Sequence, residues 1–149
     1  MMDLRSDHLQ KEDAAWQDFL VAVRTVPAER LTEPGVVPGW SVKDLVWHNA
    51  GWADFSAVEL QRLVGKPYED PFAGYDDAHW DRVSAEIIAA SASKSFDEVL
   101  ADAETVRQRV RAVWEALPEI DDERARFFGE ETFIHYAEHA EEVRRFAQG

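Results

Sequence analysis

The chain has 149 residues, the usual size of one domain, so we expect a single domain over residues 1–149. It contains no cysteine, which excludes disulfides, thiolate metal sites and a cysteine nucleophile. The 30 acidic residues against 16 basic ones give a net charge of −14, which disfavours DNA, RNA and anionic membranes as partners.

The N-terminus lacks the apolar stretch of a signal peptide. No apolar run reaches the roughly 18 residues that suggest a membrane-spanning helix. The sequence therefore predicts a cytoplasmic protein with no membrane partner.

The first two predicted helices have clear beginnings and ends. The first covers residues 4–26 and ends before a proline, and its apolar stripe consists of Leu9, Trp16, Leu20 and Val23. Ser41 is a good N-cap for the second, and Asp44 favours the positive end of its dipole. A glycine and a proline end this helix at residues 65–67. Its inner face consists of Val42, Leu45, Val46, Trp52, Ala53, Leu60 and Leu63.

Three further helices follow. An irregular helical stretch over residues 76–92 is interpreted as a crossover. Ser95 and Glu98 form a capping-box pattern that begins the next helix, which ends at Pro118 and has the stripe Val99, Ala103, Val106, Val110, Val113 and Leu117. The last helix begins near Gly129, and its stripe is Phe133, Ala137, Ala140, Val143 and Ala147. Without any strand pattern, the sequence predicts an all-α four-helix bundle with a helical crossover.

Two histidines on the last helix are the sharpest feature of the sequence. His135 and His139 stand four residues apart, so their side chains lie one above the other. A helical projection places both on the margin of the apolar face, and it places His48 on the corresponding margin of the second helix. If these helices pack side by side, three imidazoles meet, a pattern typical of a catalytic metal site. His8 and His79 are interpreted as surface or structural residues.

Other side chains near these histidines are candidates for supporting roles. The aromatic pocket candidates are Trp52, Phe55 and Phe146. Asp44 stands one turn before His48 and could either orient its imidazole or act only as a helix-terminal charge, and Glu142 is the candidate to orient His135. Asn49 projects onto the core face, where we expect it to hydrogen-bond to another helix.

The predicted metal site is sensitive to pH. Imidazole binds metal only when neutral, and its ordinary pKa is about 6.5. We therefore expect metal affinity to fall as the pH drops through about 6. Imidazole ligands suit zinc, nickel, copper and iron, so the residues alone leave the ion open.

Two segments of the chain resemble a known family. They are Pro-Gly-Trp-Ser-Val-Lys-Asp-Leu-Val-Trp-His at 38–48 and His-Tyr-Ala-Glu-His at 135–139, and together they resemble the DinB/YfiT-like four-helix bundles. That superfamily includes the N-terminal domain of mycothiol-dependent maleylpyruvate isomerase and the bacillithiol S-transferases, and the resemblance covers essentially the whole chain. It implies a divalent ion such as zinc or nickel on His48, His135 and His139, and frequent homodimers.

The leading functional hypothesis is a metal-dependent thiol S-transferase or isomerase that acts on a small molecule. Because the chain has no cysteine, the thiol must arrive on a low-molecular-weight cofactor, for which the resemblance indicates bacillithiol or mycothiol. Hydrolysis by a metal-activated water also stays open. The alternatives are a non-catalytic metal- or ligand-binding stress protein and a metal-free bundle. The latter would dimerise through an outer stripe of the second helix, Trp47, Gly51 and Val58.

Overall fold

The computed structural model describes residues 3–149, and the regular secondary structure of that range is helical. The elements are α1 (Leu4–Arg24), a 3-10 turn (Ala28–Arg30), α2 (Val42–Arg62), α3 (Asp77–Ala89), α4 (Phe96–Ala116), α5 (Asp122–Glu131) and α6 (Phe133–Gln148). No helix among these residues combines the length and the apolar composition that crossing a bilayer requires. The all-α prediction is confirmed.

Capping boxes begin α2 and α4 at the predicted serines. Ser41 and Ser95 accept hydrogen bonds from the backbone N–H groups of Asp44 and Glu98, respectively. In return, the two carboxylates accept hydrogen bonds from the serine N–H groups. Such a cap contributes about 1 kcal/mol to helix stability, and the Asp44 side chain is committed to this role.

The four long helices pack in two pairs, α1 along α6 and α2 along α4. The core is rich in aromatic side chains, and its largest fully buried members are Trp16, Trp114, Tyr136, Phe19 and Phe128. The short α5 packs between these pairs, against α1, α2 and α6. α3 contains no buried residue and packs mainly on α2, so it is the crossover that the sequence predicts.

α3 covers part of the outer stripe of α2. A Cβ atom at Gly51 would lie 2.5 Å from Cγ2 of Ile87, so a glycine lets the two helices approach closely. The ammonium group of Lys94 lies 5.5 Å from the centre of the Trp47 ring. Val58 remains 53% exposed. Much of the stripe suggested for dimerisation is therefore covered within the chain.

The chain before α6 differs from the prediction. The sequence placed the start of the last helix near Gly129, whereas α5 occupies that position and the helix breaks at Thr132. Thr132 has φ −119° and ψ −96°, and its hydroxyl donates a hydrogen bond to the carbonyl oxygen of Phe128 at 2.7 Å. A threonine hydroxyl that binds the preceding turn favours such a break.

A charged cluster is buried where α1, α4 and α6 meet. Glu12 is fully buried and accepts hydrogen bonds from Nε and Nη2 of Arg107 at 2.8 and 3.0 Å. It also accepts hydrogen bonds from Arg111 at 2.7 Å and from the hydroxyl of Tyr136 at 3.2 Å. Tyr136 therefore faces the core, and Ala137, which the sequence placed on the apolar stripe, is exposed. The sequence did not predict this cluster.

Candidate metal centre

The structure brings together the three histidines that the sequence singled out. Nε2 of His135 lies 3.1 Å from Nε2 of His48 and 3.0 Å from Nε2 of His139. One ring nitrogen from each histidine lies within 4.8 Å of the other two. Tetrahedral ligands about 2 Å from a zinc ion stand about 3.3 Å apart, which is close to the two shorter separations. The three rings can therefore bind one small ion.

The turn before α2 positions His48. Gly39 has φ +83°, a conformation that glycine adopts without strain, and the turn pairs Val37 with Trp40. The Trp40 ring then packs on the His48 ring, with 4.9 Å between the ring centres. Ser41 follows as the cap of α2. The Gly-Trp-Ser stretch therefore starts the helix and covers one side of the imidazole.

One carboxylate contacts the histidine cluster. Oε1 of Glu142 lies 2.7 Å from Nδ1 of His139, whereas the sequence assigned Glu142 to His135. Residues three apart are neighbours on a helix face, and His135 is seven residues away. Asp44, the candidate partner of His48, is held in the α2 cap instead. Nδ1 of His48 has no hydrogen-bond partner within residues 3–149.

Hydrogen bonds inside the chain cannot satisfy all three imidazoles. Glu142 favours a proton on Nδ1 of neutral His139, which leaves a lone pair on its Nε2. That lone pair faces Nε2 of His135, which also faces Nε2 of His48. Because neutral His135 has at most one proton there, it can donate to only one neighbour. A divalent ion would accept lone pairs from all three rings, so the donor set fits such an ion.

Burial keeps the clustered histidines neutral. It lowers the pKa of His48 to about 3, with His139 adding to the effect, and it lowers the pKa of His135 to about 2, with both neighbouring imidazoles adding. Burial also lowers the pKa of His139, although Glu142 opposes this shift. The sequence predicted that metal affinity falls through about pH 6. In the folded chain, protons compete for His48 and His135 only at lower pH.

A cavity of about 450 Å³ opens onto the histidine cluster, and we call it the histidine cavity. Its walls are formed by His48, Trp52, Phe72, Tyr75, Asp77, Trp80, Ser84, Glu131 and His135. The indole N–H of Trp52 donates a hydrogen bond to Oγ of Ser84 at 3.1 Å, which fixes the ring against α3. The aromatic walls give a small molecule an apolar approach to the imidazoles.

The structure places only one of the three aromatic pocket candidates in this cavity. Trp52 lines it, whereas Phe55 lies behind Trp52, with 5.1 Å between the ring centres, and lines a neighbouring cavity. Phe146 lies about two turns beyond His139 and packs under the guanidinium of Arg30, which is 4.2 Å from its ring centre. A helical projection gives the angle of a residue but not its height along the axis, which explains the error for Phe146.

Sequence reasoning missed several side chains of the site, namely Trp40, Phe72, Tyr75, Trp80, Ser84, Asp77 and Glu131. Most lie in loops or on α3, and no periodic pattern relates them to α2 or α6. The Gly-Trp-Ser stretch was a usable signal for Trp40. Glu131 lies four residues before His135, but its position depends on the helix break at Thr132.

Glu131 adds a carboxyl group to the wall of the histidine cavity. Burial raises its pKa to about 7, and the nearby Glu130 and Glu138 add to the shift. Its oxygens do not belong to the group of donor atoms within 4.8 Å of one another, so it is not among the candidate ligands. A carboxyl group that titrates near neutral pH can take up or release a proton beside the site.

The remaining polar candidates do not belong to the group of three converging histidines. His8 is buried and stacks on Trp114 with 5.6 Å between ring centres, and His79 stacks on the exposed Tyr75 at 4.1 Å. Asn49 is fully buried, and neither its amide oxygen nor its nitrogen has a hydrogen-bond partner in the described chain. The predicted helix–helix hydrogen bond of Asn49 is therefore wrong.

Solved structures of other proteins share this fold. The chain aligns with the colibactin self-resistance protein ClbS in complex with double-stranded DNA, at a TM-score of 0.78 and 16% identity, covering 97% of this chain and 96% of that chain. It also aligns with an uncharacterised protein from Escherichia coli UTI89, at a TM-score of 0.74 and 18% identity, covering 97% and 92%. No curated protein matches the sequence. At these identities the likeness shows the fold alone.

The family comparison extends over most of the chain. The family model of the DinB superfamily matches residues 13–142, which run from α1 into α6. The matched range contains the three clustered histidines and Glu142. The chain therefore belongs to the DinB superfamily.

Proposed function

We propose that the chain binds one divalent metal ion, zinc or nickel, through His48, His135 and His139. The observation that carries this proposal is the convergence of three imidazole nitrogens at the wall of an open cavity. Buried polar atoms in folded proteins normally have hydrogen-bond partners, but the three Nε2 atoms face one another, and hydrogen bonds among the neutral rings cannot satisfy all of them. A cluster that served only for packing would be expected to satisfy these atoms.

We further propose that the metal-loaded protein is a thiol S-transferase or isomerase that uses a low-molecular-weight thiol, bacillithiol or mycothiol. A bound divalent ion lowers the pKa of a thiol that it coordinates and so supplies a nucleophile at neutral pH. Three histidine ligands leave room for a further ligand on such an ion. The chain has no cysteine, so the thiol belongs to a co-substrate.

Side chains around the cluster support this chemistry. Glu142 orients His139 through the hydrogen bond at Nδ1. Trp52, held by Ser84, forms an apolar wall that limits water near the reacting groups. Glu131 takes up the proton that the thiol releases. The carbon–sulfur bond then forms as the bond to the leaving group breaks, and the leaving group takes the proton from Glu131.

The partner that we propose is a small molecule rather than a nucleic acid. The net charge of −14 repels a phosphate backbone, and the histidine cavity has the size of a small-molecule site. The structural neighbour ClbS was solved in complex with double-stranded DNA, so binding of DNA to this chain is tested separately. We expect no shift of duplex DNA in a gel at low salt. A complex that weakens as salt increases would overturn this expectation.

Elemental analysis of protein purified without a histidine tag or added metal tests the metal proposal. We expect about one divalent ion per chain, lost for the most part in His135→Ala. His79→Ala is the matched control, because His79 stacks on Tyr75 away from the cluster, and it should keep the ion. Unchanged metal content in a folded His135→Ala/His139→Ala variant would overturn the proposal.

A thiol-conjugation assay tests the catalytic proposal. Metal-loaded protein is mixed with a panel of thiols and with monochlorobimane or a chloro-nitrobenzene as the electrophile. We expect a rate above background that disappears in His48→Ala. A metal-loaded protein without activity toward any thiol would instead be a non-catalytic metal- or ligand-binding protein.

A further inference from the structure

The histidine cavity adjoins a second cavity of about 730 Å³, which we call the outer cavity. Tyr75 and Trp80 line both cavities, and Phe55, His79 and Val83 continue the wall of the outer one. A molecule whose reactive end lies at the histidines can therefore extend past Trp80 into the outer cavity. The outer cavity holds none of the three clustered histidines, so its residues contact only the non-reacting part of such a molecule.

Acidic side chains dominate the charge of both walls. In the described chain, the charged residues that line the histidine cavity are Asp77 and Glu131, apart from the histidines themselves. Glu59, Glu69, Asp70 and Arg62 line the outer cavity.

Apart from histidines, the one basic side chain that the described residues contribute to these walls is Arg62, and it is already paired. Nε and Nη2 of Arg62 lie 2.9 and 2.8 Å from Oε2 of Glu59. Asp77 and Glu131, in contrast, form no ion pair within residues 3–149. Among residues 3–149, no unpaired guanidinium or ammonium group therefore lines either cavity to receive a carboxylate.

Aromatic rings stand between these carboxylates. The Trp80 ring contacts those of Trp52, Phe72 and Tyr75, with ring centres 6.0, 4.9 and 5.6 Å apart. Aromatic faces attract cations and repel anions, and carboxylates at a partly enclosed wall do the same. The aromatic rings and the carboxylates therefore both favour a positively charged ligand over a negatively charged one.

We infer that these two cavities admit a thiol co-substrate whose non-reacting end is neutral or positively charged, and disfavour one that ends in a carboxylate. This charge preference concerns the same site as the proposed function and rests on that proposal. Of the two thiols proposed there, it favours mycothiol, which has no carboxylate, over bacillithiol, whose malate group has two. It separates amino- or hydroxyl-bearing thiols from carboxylate-bearing thiols of the same length.

Three thiols of similar length provide the test. Cysteamine, 2-mercaptoethanol and 3-mercaptopropionate end in an ammonium, a hydroxyl and a carboxylate. Their affinities for cobalt-loaded protein are measured from the sulfur-to-cobalt absorption band at about pH 8, where carboxyl groups are ordinarily ionised. Because the thiol groups differ in pKa, the quantity compared between proteins is the ratio of the cysteamine affinity to the 3-mercaptopropionate affinity.

Two double variants remove the same number of charges from the same helices. Asp77→Asn/Glu131→Gln neutralises the wall of the histidine cavity, and Asp81→Asn/Glu130→Gln neutralises exposed positions beside it. We expect the affinity ratio to fall about tenfold in the first variant and to stay unchanged in the second. An equal ratio in the wild type and both variants would overturn the inference.

A second measurement separates this inference from the proposed function. Binding of 2-phenylethylammonium and of 3-phenylpropionate to metal-free protein is followed by tryptophan fluorescence. We expect the ammonium to bind more tightly, and the difference to shrink only in Asp77→Asn/Glu131→Gln. If the cobalt band responds to none of the thiols, the proposed thiol function is wrong. The two phenyl compounds still test the charge preference in that case. Tighter binding of the carboxylate would overturn it.

Discussion

Adjacent residues of α6, Tyr136 and His135, belong to two different buried polar clusters. The clusters differ in how many of their polar atoms have hydrogen-bond partners in the described chain. Tyr136 joins the cluster around Glu12, in which each carboxylate oxygen accepts hydrogen bonds from arginine or tyrosine. His135 joins the cluster with His48 and His139, in which three ring nitrogens converge and two others have no partner in the described chain. In the Glu12 cluster, which we call the closed cluster, side chains of the protein satisfy both carboxylate oxygens. In the histidine cluster, which we call the open cluster, a further group is needed to satisfy the ring nitrogens.

This difference separates a structural role from a binding role. A buried ion pair with all its hydrogen bonds made holds α1, α4 and α6 in register and has no capacity for a ligand. Buried nitrogens without partners cost stability, about 1–3 kcal/mol for each unsatisfied atom. The three converging Nε2 atoms lie beside the histidine cavity, where their lone pairs are available for binding.

The largest effect should come from breaking the closed cluster. Glu12→Gln removes the buried carboxylate charge that Arg107 and Arg111 share. Arg107 keeps only the more exposed Asp13 and Glu104, and we expect a loss of about 3–5 kcal/mol in the free energy of unfolding, measured with urea. Asp18→Asn on the same helix removes an exposed ion pair with Arg144 and should cost less than about 1 kcal/mol. Equal losses in the two variants would contradict the structural role of the Glu12 cluster.

Acid should destabilise the metal-free protein through the open histidine cluster. The pKa values of His48 and His135, about 3 and about 2, lie below that of histidine in the unfolded chain. Below about pH 6.5 the unfolded chain therefore binds more protons, and the free energy of unfolding of metal-free protein falls as the pH decreases. We expect a loss of about 2 kcal/mol per histidine by about pH 5.

Urea unfolding of wild-type protein and His135→Asn between about pH 5 and pH 7 measures this loss. The substitution removes one titrating group, so the pH dependence should become shallower. The same pH dependence in both proteins would show that His135 is not held neutral by burial.

Neutralising the carboxylate of Glu142, which contacts His139, should have a smaller effect, and this effect is on metal binding. Glu142→Gln keeps the size of the side chain but weakens the hydrogen bond to Nδ1 of His139, and we expect zinc affinity to fall about tenfold. Glu141→Gln, at the exposed neighbouring position, is the matched control. Calorimetric titration measures both. An unchanged affinity in Glu142→Gln would mean that its contact with His139 does not serve metal binding.

The smallest expected effect is the change in the free energy of unfolding when Glu131, at the wall of the histidine cavity, loses its charge. Because the pKa of Glu131 is raised to about 7, its contribution to stability is present below its unfolded pKa of about 4.5 and is lost as the pH rises through about 7. Glu131→Gln should therefore stabilise metal-free protein by about 1 kcal/mol at about pH 8, after allowance for its partial exposure, and have little effect near pH 4. The same stability difference between Glu131→Gln and the wild type at both pH values would contradict a raised pKa for Glu131.

The sequence indicates the three histidines because the signals within each helix are local, although His48 and His135 are 87 residues apart. The spacing of His135 and His139 and the cap at Ser41 depend only on residues within one or two turns. The pair Glu12–Arg107 joins residues 95 positions apart, so no local pattern indicates it. The break at Thr132 also escapes prediction, because the surrounding residues are compatible with a continuous helix.

The thin attachment of α3 has a consequence for how molecules reach the interior. α3 has no buried residue. Its contacts with α2 include Ile87 against Gly51, the hydrogen bond between Ser84 and Trp52, and the half-buried Trp80 ring against the ring of Trp52. Segments with few buried contacts open locally at a small fraction of the free energy of global unfolding. Amide hydrogens of α3 should therefore exchange with deuterium well before those of α2. Brief detachment of this one helix would uncover the imidazoles while the four-helix bundle stays folded.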